Sequence, residues 1–284
     1  MSGATDVRAG VTDLDGTMVP EDGIVSDATV RAAADLAGAG IALIAATART
    51  PAGVAALPAL TPYLAVAVCC GGAVGWSADD GVVWRETIDA TSVRGIVETA
   101  LERVAGAGIA AHDGDRWRMT EEYITQRPRQ RPDVVEIVAA AELAAYPACC
   151  LAVCHPDLDS ADLVGLLTST PLDPPPFVTY SDRHLVDIVP GHVDKSIGVA
   201  RALRSLGLDP TEAIGFGDMP NDLPVFGLVG YAVAVGNAHP EVLAAAAAVT
   251  ACVHDDGVVR TLHELGLVRA GRLAAPACRC LDGG

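Results

Sequence analysis

The sequence has few positive charges for its length. Its 284 residues include 19 Lys and Arg against 36 Asp and Glu, which gives a formal net charge of −17. Proteins bind nucleic acids through an excess of Lys and Arg that neutralises phosphates, so we expect no nucleic-acid partner. An anionic small molecule would need local positive charge against this negative field, and a metal ion with one well-placed lysine would supply it.

Aromatic residues and long uninterrupted apolar runs are also scarce. Only 4% of the residues are aromatic although 51% are hydrophobic, so the cores must be aliphatic and rich in alanine. The first ten residues lack the apolar core of a signal peptide, and residues 57–78, which belong to the longest uncharged run, are interrupted by Pro and Gly. We therefore expect no membrane partner and a cytoplasmic protein. The sequence does not indicate whether the protein is a monomer or a dimer.

The eight cysteines include no Cys-x-x-Cys pair, which disfavours a zinc site. Most of them lie in apolar stretches and are expected to behave as small buried hydrophobic residues. Cys278 and Cys280 lie in a polar tail, where we expect them to be exposed.

A pair of aspartates near the N-terminus is the first feature with chemical potential. Residues 7–11, which are apolar apart from Arg8, lead into Asp13, Asp15, Gly16 and Thr17, and this pattern predicts a buried strand that ends in an acidic turn. An isolated motif of this kind is more often an Asp-rich turn that caps local backbone groups. Two carboxylates so close to each other also suit Mg²⁺, which prefers carboxylate and phosphate oxygens.

Strand and helix patterns alternate along the first and last parts of the chain. Helices are predicted at 28–39 and 51–60 and strands at 41–46 and 64–69, and the same alternation returns after residue 191. Such alternation predicts an α/β fold with a doubly wound, mostly parallel sheet. Between these parts the pattern mixes helices, at 90–105, 134–143 and 161–167, with strands at 150–154, 177–180 and 185–189.

The change of pattern predicts two domains, one of them inserted into the other. We assign residues 1–86 and 191–268 to the α/β core, residues 87–190 to an inserted α+β domain, and residues 269–284 to a flexible tail.

Polar residues fall at four ends of the predicted core elements. They are Asp13 with Asp15, Thr47, Lys195, and Asp218 with Asp222. Singly, each has an ordinary explanation as a helix cap, a solvated lysine or a turn carboxylate. Ligands of open α/β sheets bind beyond the carboxyl ends of the strands, so the four together predict a site at that edge.

The order of these motifs resembles the haloacid dehalogenase (HAD) superfamily. The motifs are Asp-Leu-Asp-Gly-Thr at 13–17, Thr-Ala-Arg at 47–49, Lys195, and Gly-Asp-Met-Pro-Asn-Asp at 217–222. The inserted domain and the segments 233–238 and 256–258 are similar to the Cof-like phosphatase branch. The resemblance covers nearly the whole chain, and it implies a Rossmann-like core with an inserted α+β cap that acts as a lid.

The resemblance implies a role for each acidic residue. Asp13 would be the nucleophile that forms an aspartyl-phosphate, and Asp15 would be the general acid and base. The metal ligands would be Asp13, the backbone carbonyl of Asp15, Asp218 and Asp222, with Mg²⁺ as the cofactor. Asp222 would alternatively orient Lys195, which would balance the charge of the nucleophile.

The resemblance also implies a phosphate-binding set. Thr47, the backbone N–H of Ala48, Arg49, Lys195 and Asn221 would contact the substrate phosphate.

Two departures from the family pattern concern the second and third strands. The second motif has Ala48 where Gly is commoner, and Gly71-Gly72-Ala73 stands where many Cof-like enzymes have Asn-Gly-Ala. The missing amide affects contacts at the substrate end. Candidate cap contacts are His112, Asp113, Arg116, Arg118, Arg183 and His184, and a loop with Arg127, Arg129 and Arg131 could meet a second anionic group.

The sequence therefore predicts a Mg²⁺-dependent phosphatase of small phosphorylated metabolites, with sugar phosphates as the leading class. A phosphomutase with the same chemistry and a catalytically silent ligand-binding protein on the same fold are the alternatives.

Overall fold

The protein is described by a computed structural model that covers residues 7–128, 135–169 and 171–269. Its strands are β1 (Ala9–Thr12), β2 (Ala42–Ala46), β3 (Leu64–Cys69), β4 (Val74–Ser77), β5 (Gly81–Arg85), β6 (Gly108–His112), β7 (Trp117–Met119), β8 (Val135–Ile137), β9 (Cys150–Cys154), β10 (Phe177–Asp182), β11 (Leu185–Val189), β12 (Ala213–Gly217), β13 (Tyr231–Ala234) and β14 (Ala248–Val249). Its α-helices are α1 (Asp27–Gly38), α2 (Pro51–Ala55), α3 (Ala90–Arg103), α4 (Glu121–Gln126), α5 (Ala140–Leu143), α6 (Ser160–Thr168), α7 (Lys195–Ser205), α8 (Leu223–Phe226), α9 (Pro240–Ala245) and α10 (Gly257–Glu264).

The larger sheet has eight strands in the order β14-β13-β12-β1-β2-β3-β4-β5. The six strands from β14 to β3 are parallel, and β4 and β5 form an antiparallel hairpin at one edge. Every residue of the central strand β1 is buried, as expected for a parallel strand covered on both faces. The predicted α/β class with a mostly parallel sheet is confirmed.

The smaller sheet has six strands in the order β10-β11-β9-β6-β7-β8. Its pairs are antiparallel except for β7 with β8. One of its faces is covered by α3 and α6 and forms a separate apolar core. The larger sheet draws its strands from residues 9–85 and 213–249 and the smaller sheet from residues 108–189, while the domain boundaries at 86 and 190 stay a prediction.

Side-chain caps define where the functional helices begin. The carboxylate of Asp194 accepts a hydrogen bond from the backbone N–H of Ile197 at 2.9 Å, so α7 begins at Lys195. Ser26 caps α1 in the same way, through the N–H of Thr29. Thr50, rather than Thr47, caps α2, so Thr47 stays in the loop after β2.

The helix expected at 134–143 is wrong. Within the described residues, Val135–Ile137 form β8, which pairs with β7, and only Ala140–Leu143 form a helix. The apolar residues of this segment fit the periodicity of a helix and that of a strand equally well. The segment forms a strand because it pairs with the edge of β7. The helix expected at 51–60 ends at Ala55, and α4 was not predicted.

Six of the cysteines lie in the described part of the chain, and all six are buried. This agrees with the prediction that they are small apolar residues, while Cys278 and Cys280 lie outside the described residues. No helix among the described residues is both long and apolar enough to cross a lipid bilayer.

Candidate active site

The loops that follow three parallel strands bring the predicted residues together. Asp13 follows β1, Thr47 follows β2 and Asp218 follows β12, and β1 lies between the other two strands. Because the strands are parallel, all three residues lie at the same edge of the sheet. The N-terminus of α7 adds Lys195 at this edge.

Three carboxylates form the centre of the site. Asp13, Asp218 and Asp222 each offer an oxygen, and these oxygens lie within 4.8 Å of one another. The side chains are 5%, 6% and 2% exposed, so water screens them little. The Nζ of Lys195 lies 3.0 Å from Oδ2 of Asp13 and 2.7 Å from Oδ1 of Asp222. Lys195 itself is 1% exposed, which excludes a solvated lysine.

Hydrogen bonds from the neighbouring backbone orient two of these carboxylates. The N–H of Leu14 donates to Oδ1 of Asp13 at 2.7 Å, so one oxygen is held by the backbone and the other by Lys195. The N–H groups of Asp218 and Met219 donate to Oδ2 of Asp222 at 3.0 and 3.1 Å. Asp222 thus joins Lys195 to the loop that carries Asp218.

Residues of the Asp-Leu-Asp-Gly-Thr motif at 13–17 also contact Asp218, which belongs to the motif at 217–222. The hydroxyl of Thr17 donates to Oδ1 of Asp218 at 2.5 Å. Gly16 has a φ of +78°, and a Cβ at this position would lie 2.4 Å from Oδ2 of Asp218. The amide of Asn237 donates to the carbonyl of Gly16 at 2.8 Å. We assigned no role to these residues from the sequence, although a Gly and a Thr directly after two aspartates signal a tight polar turn.

Burial controls the electrostatics of this cluster. It raises the pKa of Asp13 well above its ordinary value, and Lys195 opposes that rise. Burial and the neighbouring Asp222 raise the pKa of Asp218 to about 7, while the Thr17 hydroxyl lowers it. Burial lowers the pKa of Lys195, but Asp13 and Asp222 outweigh it and the net shift is upward.

The donor set fits a divalent cation. A single ammonium group balances one of the three carboxylates, and burying the remaining negative charge is costly. Oxygen ligands from carboxylates are those that Mg²⁺ prefers.

The side chain of Asp15 lies outside this cluster. Its two oxygens accept hydrogen bonds from Nε and Nη2 of Arg49 at 2.7 and 2.6 Å, and its side chain is 56% exposed. The Asp15 carboxylate raises the pKa of Arg49 against the effect of burial. The structure therefore pairs two predicted site residues with each other, beside the acidic cluster and not within it.

The predicted phosphate-binding residues fall into two groups. Thr47 is buried, and its hydroxyl accepts a hydrogen bond from the N–H of Arg49 at 3.1 Å. Ala48 and Asn221 line a cavity together with Lys195. Oδ1 of Asn221 is buried and has no hydrogen-bond partner among the described residues.

The smaller sheet covers this cavity with residues that we did not predict. Its contribution to the cavity wall is Trp117, Cys150, Leu151, Phe177, Thr179, Asp187 and Val189. The predicted cap contacts lie elsewhere: Asp113 pairs with Arg118 at 2.8 Å, and His184 bonds the carbonyl of Leu158 at 2.8 Å. None of the six candidates lines the cavity in the described structure.

Two of the other predicted residues of the smaller domain are engaged locally. His112 is buried, which lowers its pKa to about 4, and its Nδ1 accepts a hydrogen bond from the N–H of Gly114. Arg127 pairs with Asp182. Arg129 and Arg131 lie outside the described residues.

Curated relatives match the sequence of the chain over part of its length. Over 79 residues the chain is 39% identical to the phosphoglycolate phosphatase of Haloarcula marismortui, a match that covers 28% of this chain and 34% of that protein. The chain spans 17% and 32% of the length of two further curated relatives.

Solved structures show the same fold over nearly the whole chain. A sugar phosphatase of HAD subclass IIB aligns with a TM-score of 0.80 and 20% identity, over 92% of this chain and 100% of that chain. A HAD phosphatase of Bacteroides thetaiotaomicron aligns with a TM-score of 0.77 and 20% identity, over 94% and 98% of the two chains. A family model described as haloacid dehalogenase-like hydrolase matches residues 11–262. The chain therefore belongs to the haloacid dehalogenase-like hydrolases, in the Cof-like branch that its motifs predicted.

Proposed function

We propose that the protein is a Mg²⁺-dependent phosphatase that cleaves phosphate monoesters of small metabolites, with sugar phosphates as the leading class, through an aspartyl-phosphate intermediate. The observation that carries the proposal is the buried Asp13 carboxylate, held 3.0 Å from Lys195 beside two further carboxylates. Burying a cluster of carboxylates is costly for stability. Phosphoryl transfer is a reaction that requires such a cluster, because it depends on positioning and on charge neutralisation.

In this proposal Asp13, Asp218 and Asp222, with the backbone carbonyl of Asp15, hold the Mg²⁺. When bound, the ion neutralises charge on the phosphoryl oxygens. Burial raises the pKa of Asp13, and Lys195 opposes that rise and so favours the ionised form of the nucleophile. The N–H of Leu14 fixes the orientation of the same carboxylate.

The reaction then proceeds in two displacements. A carboxylate oxygen of Asp13 attacks phosphorus, the bond to the ester oxygen breaks, and Asp15 gives its proton to the leaving oxygen. Water, deprotonated by Asp15, then attacks phosphorus, and phosphate leaves while the Asp13 carboxylate is restored. Asp15 is paired with Arg49 in the structure, so proton transfer requires this exposed pair to open.

Thr47, the N–H of Ala48, Asn221, Lys195 and Arg49 make up the proposed phosphate-binding set. Residues 87–190 act as the lid in this proposal, because the smaller sheet closes the cavity above Lys195 and excludes water from the reacting groups.

The test is phosphate release from a panel of phosphorylated metabolites and p-nitrophenyl phosphate, with Mg²⁺ and with EDTA. We expect release that EDTA abolishes, and no release by Asp13→Asn although this variant still folds. The matched control is Asp79→Asn on the exposed β4–β5 turn, which should retain full activity. Full activity of Asp13→Asn would refute the nucleophile, and phosphate transferred between substrates without release would indicate a phosphomutase.

A further inference from the structure

The two faces of β11 have different surroundings. Val186 and Ile188 are 0% and 1% exposed and belong to the core between the smaller sheet and its helices. Side chains alternate along a strand, so Asp187 lies on the opposite face with Val189. Val189 packs in the apolar cluster of the larger sheet, so this face meets the α/β core.

Asp187 is the charged group that this face directs into the active-site cavity. Together with Lys195 and Asn221 it lines the cavity, and the other residues of the smaller sheet in the cavity wall are apolar apart from Thr179. Thr179 lies opposite Asp187 on β10. The hydroxyl of Ser181 donates to Oδ2 of Asp187. Burial raises the pKa of this carboxylate, and the positive charges of Lys195 and Arg127 both act on it and oppose that rise.

A second acceptor in the same cavity lacks a partner. Oδ1 of Asn221 is buried without a hydrogen bond, and the Asn221 side chain is 4% exposed. A buried acceptor without a donor is costly, so the cavity is built for a ligand that donates hydrogen bonds. The two acceptors come from opposite walls, one from the larger sheet's loop and one from the smaller sheet.

We propose that Asp187 is the residue that determines specificity for the leaving group: it accepts hydrogen bonds from the hydroxyl groups of a polyhydroxylated leaving group and repels one that carries a carboxylate or a second phosphate. This inference rests on the proposed phosphatase function. Burial raises the pKa of Asp187 to about 6, so the carboxylate is mainly ionised at neutral pH and repels anions there. Hydroxyl groups satisfy an ionised acceptor, and charge-assisted hydrogen bonds of this kind are the strong ones.

Three substrates separate this role from a structural one. Glucose 6-phosphate carries hydroxyl groups, phosphoglycolate carries a carboxylate, and p-nitrophenyl phosphate carries neither. For Asp187→Asn we expect kcat/KM to fall at least tenfold with glucose 6-phosphate, mainly through KM, and to rise with phosphoglycolate. Turnover of p-nitrophenyl phosphate should stay within about twofold of the wild type, since Asp187 contacts the leaving group and not the phosphate.

Two further variants serve as controls. Asp187→Glu keeps the charge and should retain the preference for glucose 6-phosphate over phosphoglycolate. Ser181→Ala removes the hydrogen bond that lowers the pKa of Asp187, so the preference should weaken at neutral pH and return at higher pH, where Asp187 is fully ionised. Equal effects of Asp187→Asn on all three substrates, or no effect on any, would overturn the specificity role while the phosphatase stands. If the wild type releases phosphate from none of the three, the proposed function and this inference both fail.

Discussion

The clearest physical consequence of the acidic cluster is a pH-dependent stability that Mg²⁺ should suppress. The folded protein raises the pKa of Asp218 from its ordinary 3.8 to about 7. Between these values the unfolded chain loses the proton first, so the free energy of unfolding falls as pH rises from about 4 to about 7. Each unit of pKa difference is worth about 1.4 kcal/mol, so the metal-free protein loses about 4 kcal/mol through this one group.

Thermal unfolding followed by circular dichroism, in EDTA and in Mg²⁺ at about pH 5 and about pH 8, measures this loss. Because the unfolded group is already ionised at pH 5, about 3 kcal/mol of this loss falls between the two pH values. This change corresponds to a melting temperature roughly 5–10 °C lower at the higher pH in EDTA, and Mg²⁺ should restore most of it. Asp218→Asn removes one of the two buried ionisations at nearly constant shape and should reduce both effects to the part that comes from Asp13, whereas Asp79→Asn should keep both in full. A metal-free wild type that melts equally at both pH values, or an Asp218→Asn variant with the full pH slope, would refute the electrostatic argument.

Three more substitutions test how the site is held together. Thr17→Val removes the hydroxyl that lowers the pKa of Asp218, so Mg²⁺ affinity measured by calorimetry should fall about tenfold, and Thr17→Ser should preserve it. Gly72→Ala places a Cβ 2.1 Å from a backbone carbonyl oxygen at the start of α7 and should cost roughly 2–4 kcal/mol in urea unfolding. The matched Gly23→Ala, also at positive φ but in open space, should cost only about 1–2 kcal/mol. Lys195→Met leaves buried carboxylates without their cation, so phosphate release should be lost and metal-free stability should fall by roughly 3–5 kcal/mol. Equal urea midpoints for the two glycine variants, unchanged Mg²⁺ affinity in Thr17→Val, or wild-type turnover in Lys195→Met would each contradict its prediction.

The convergence of the core motifs could be predicted because topology alone brings it about. Asp13 and Asp218 each follow a parallel strand of the same sheet, and parallel strands end at one edge. The sequence therefore placed Lys195 and the carboxylates at one edge without any knowledge of side-chain positions. Topology does not determine where side chains point. The pairing of Asp15 with Arg49, 34 positions later in the sequence, was therefore not predicted.

The residues with which the smaller sheet lines the cavity could not be predicted for a related reason. The strand 185–189 was predicted with its observed bounds, but which of its faces meets the core depends on how the two sheets pack. Polar and charged residues in exposed turns, such as Arg183, were therefore chosen over Asp187 inside the strand. An acid between apolar neighbours in a half-buried strand is the signal that could have identified it.

The departures from ordinary packing are concentrated at one place in the described chain. Lys195 is among its largest fully buried side chains, Asn221 holds a buried acceptor without a partner among the described residues, and Asp13 and Asp218 are carboxylates that burial pushes toward the neutral form. Removing these polar groups from water is costly in the empty protein, and a site that lacked a ligand would have no physical reason to collect them. These four residues lie between the carboxyl ends of the parallel strands and the face of the smaller sheet that carries Asp187. In the proposed function a cation would satisfy the carboxylates and a hydroxyl-bearing phosphate ester would satisfy the remaining acceptors, so the proposed ligands would also offset the cost of burying these groups.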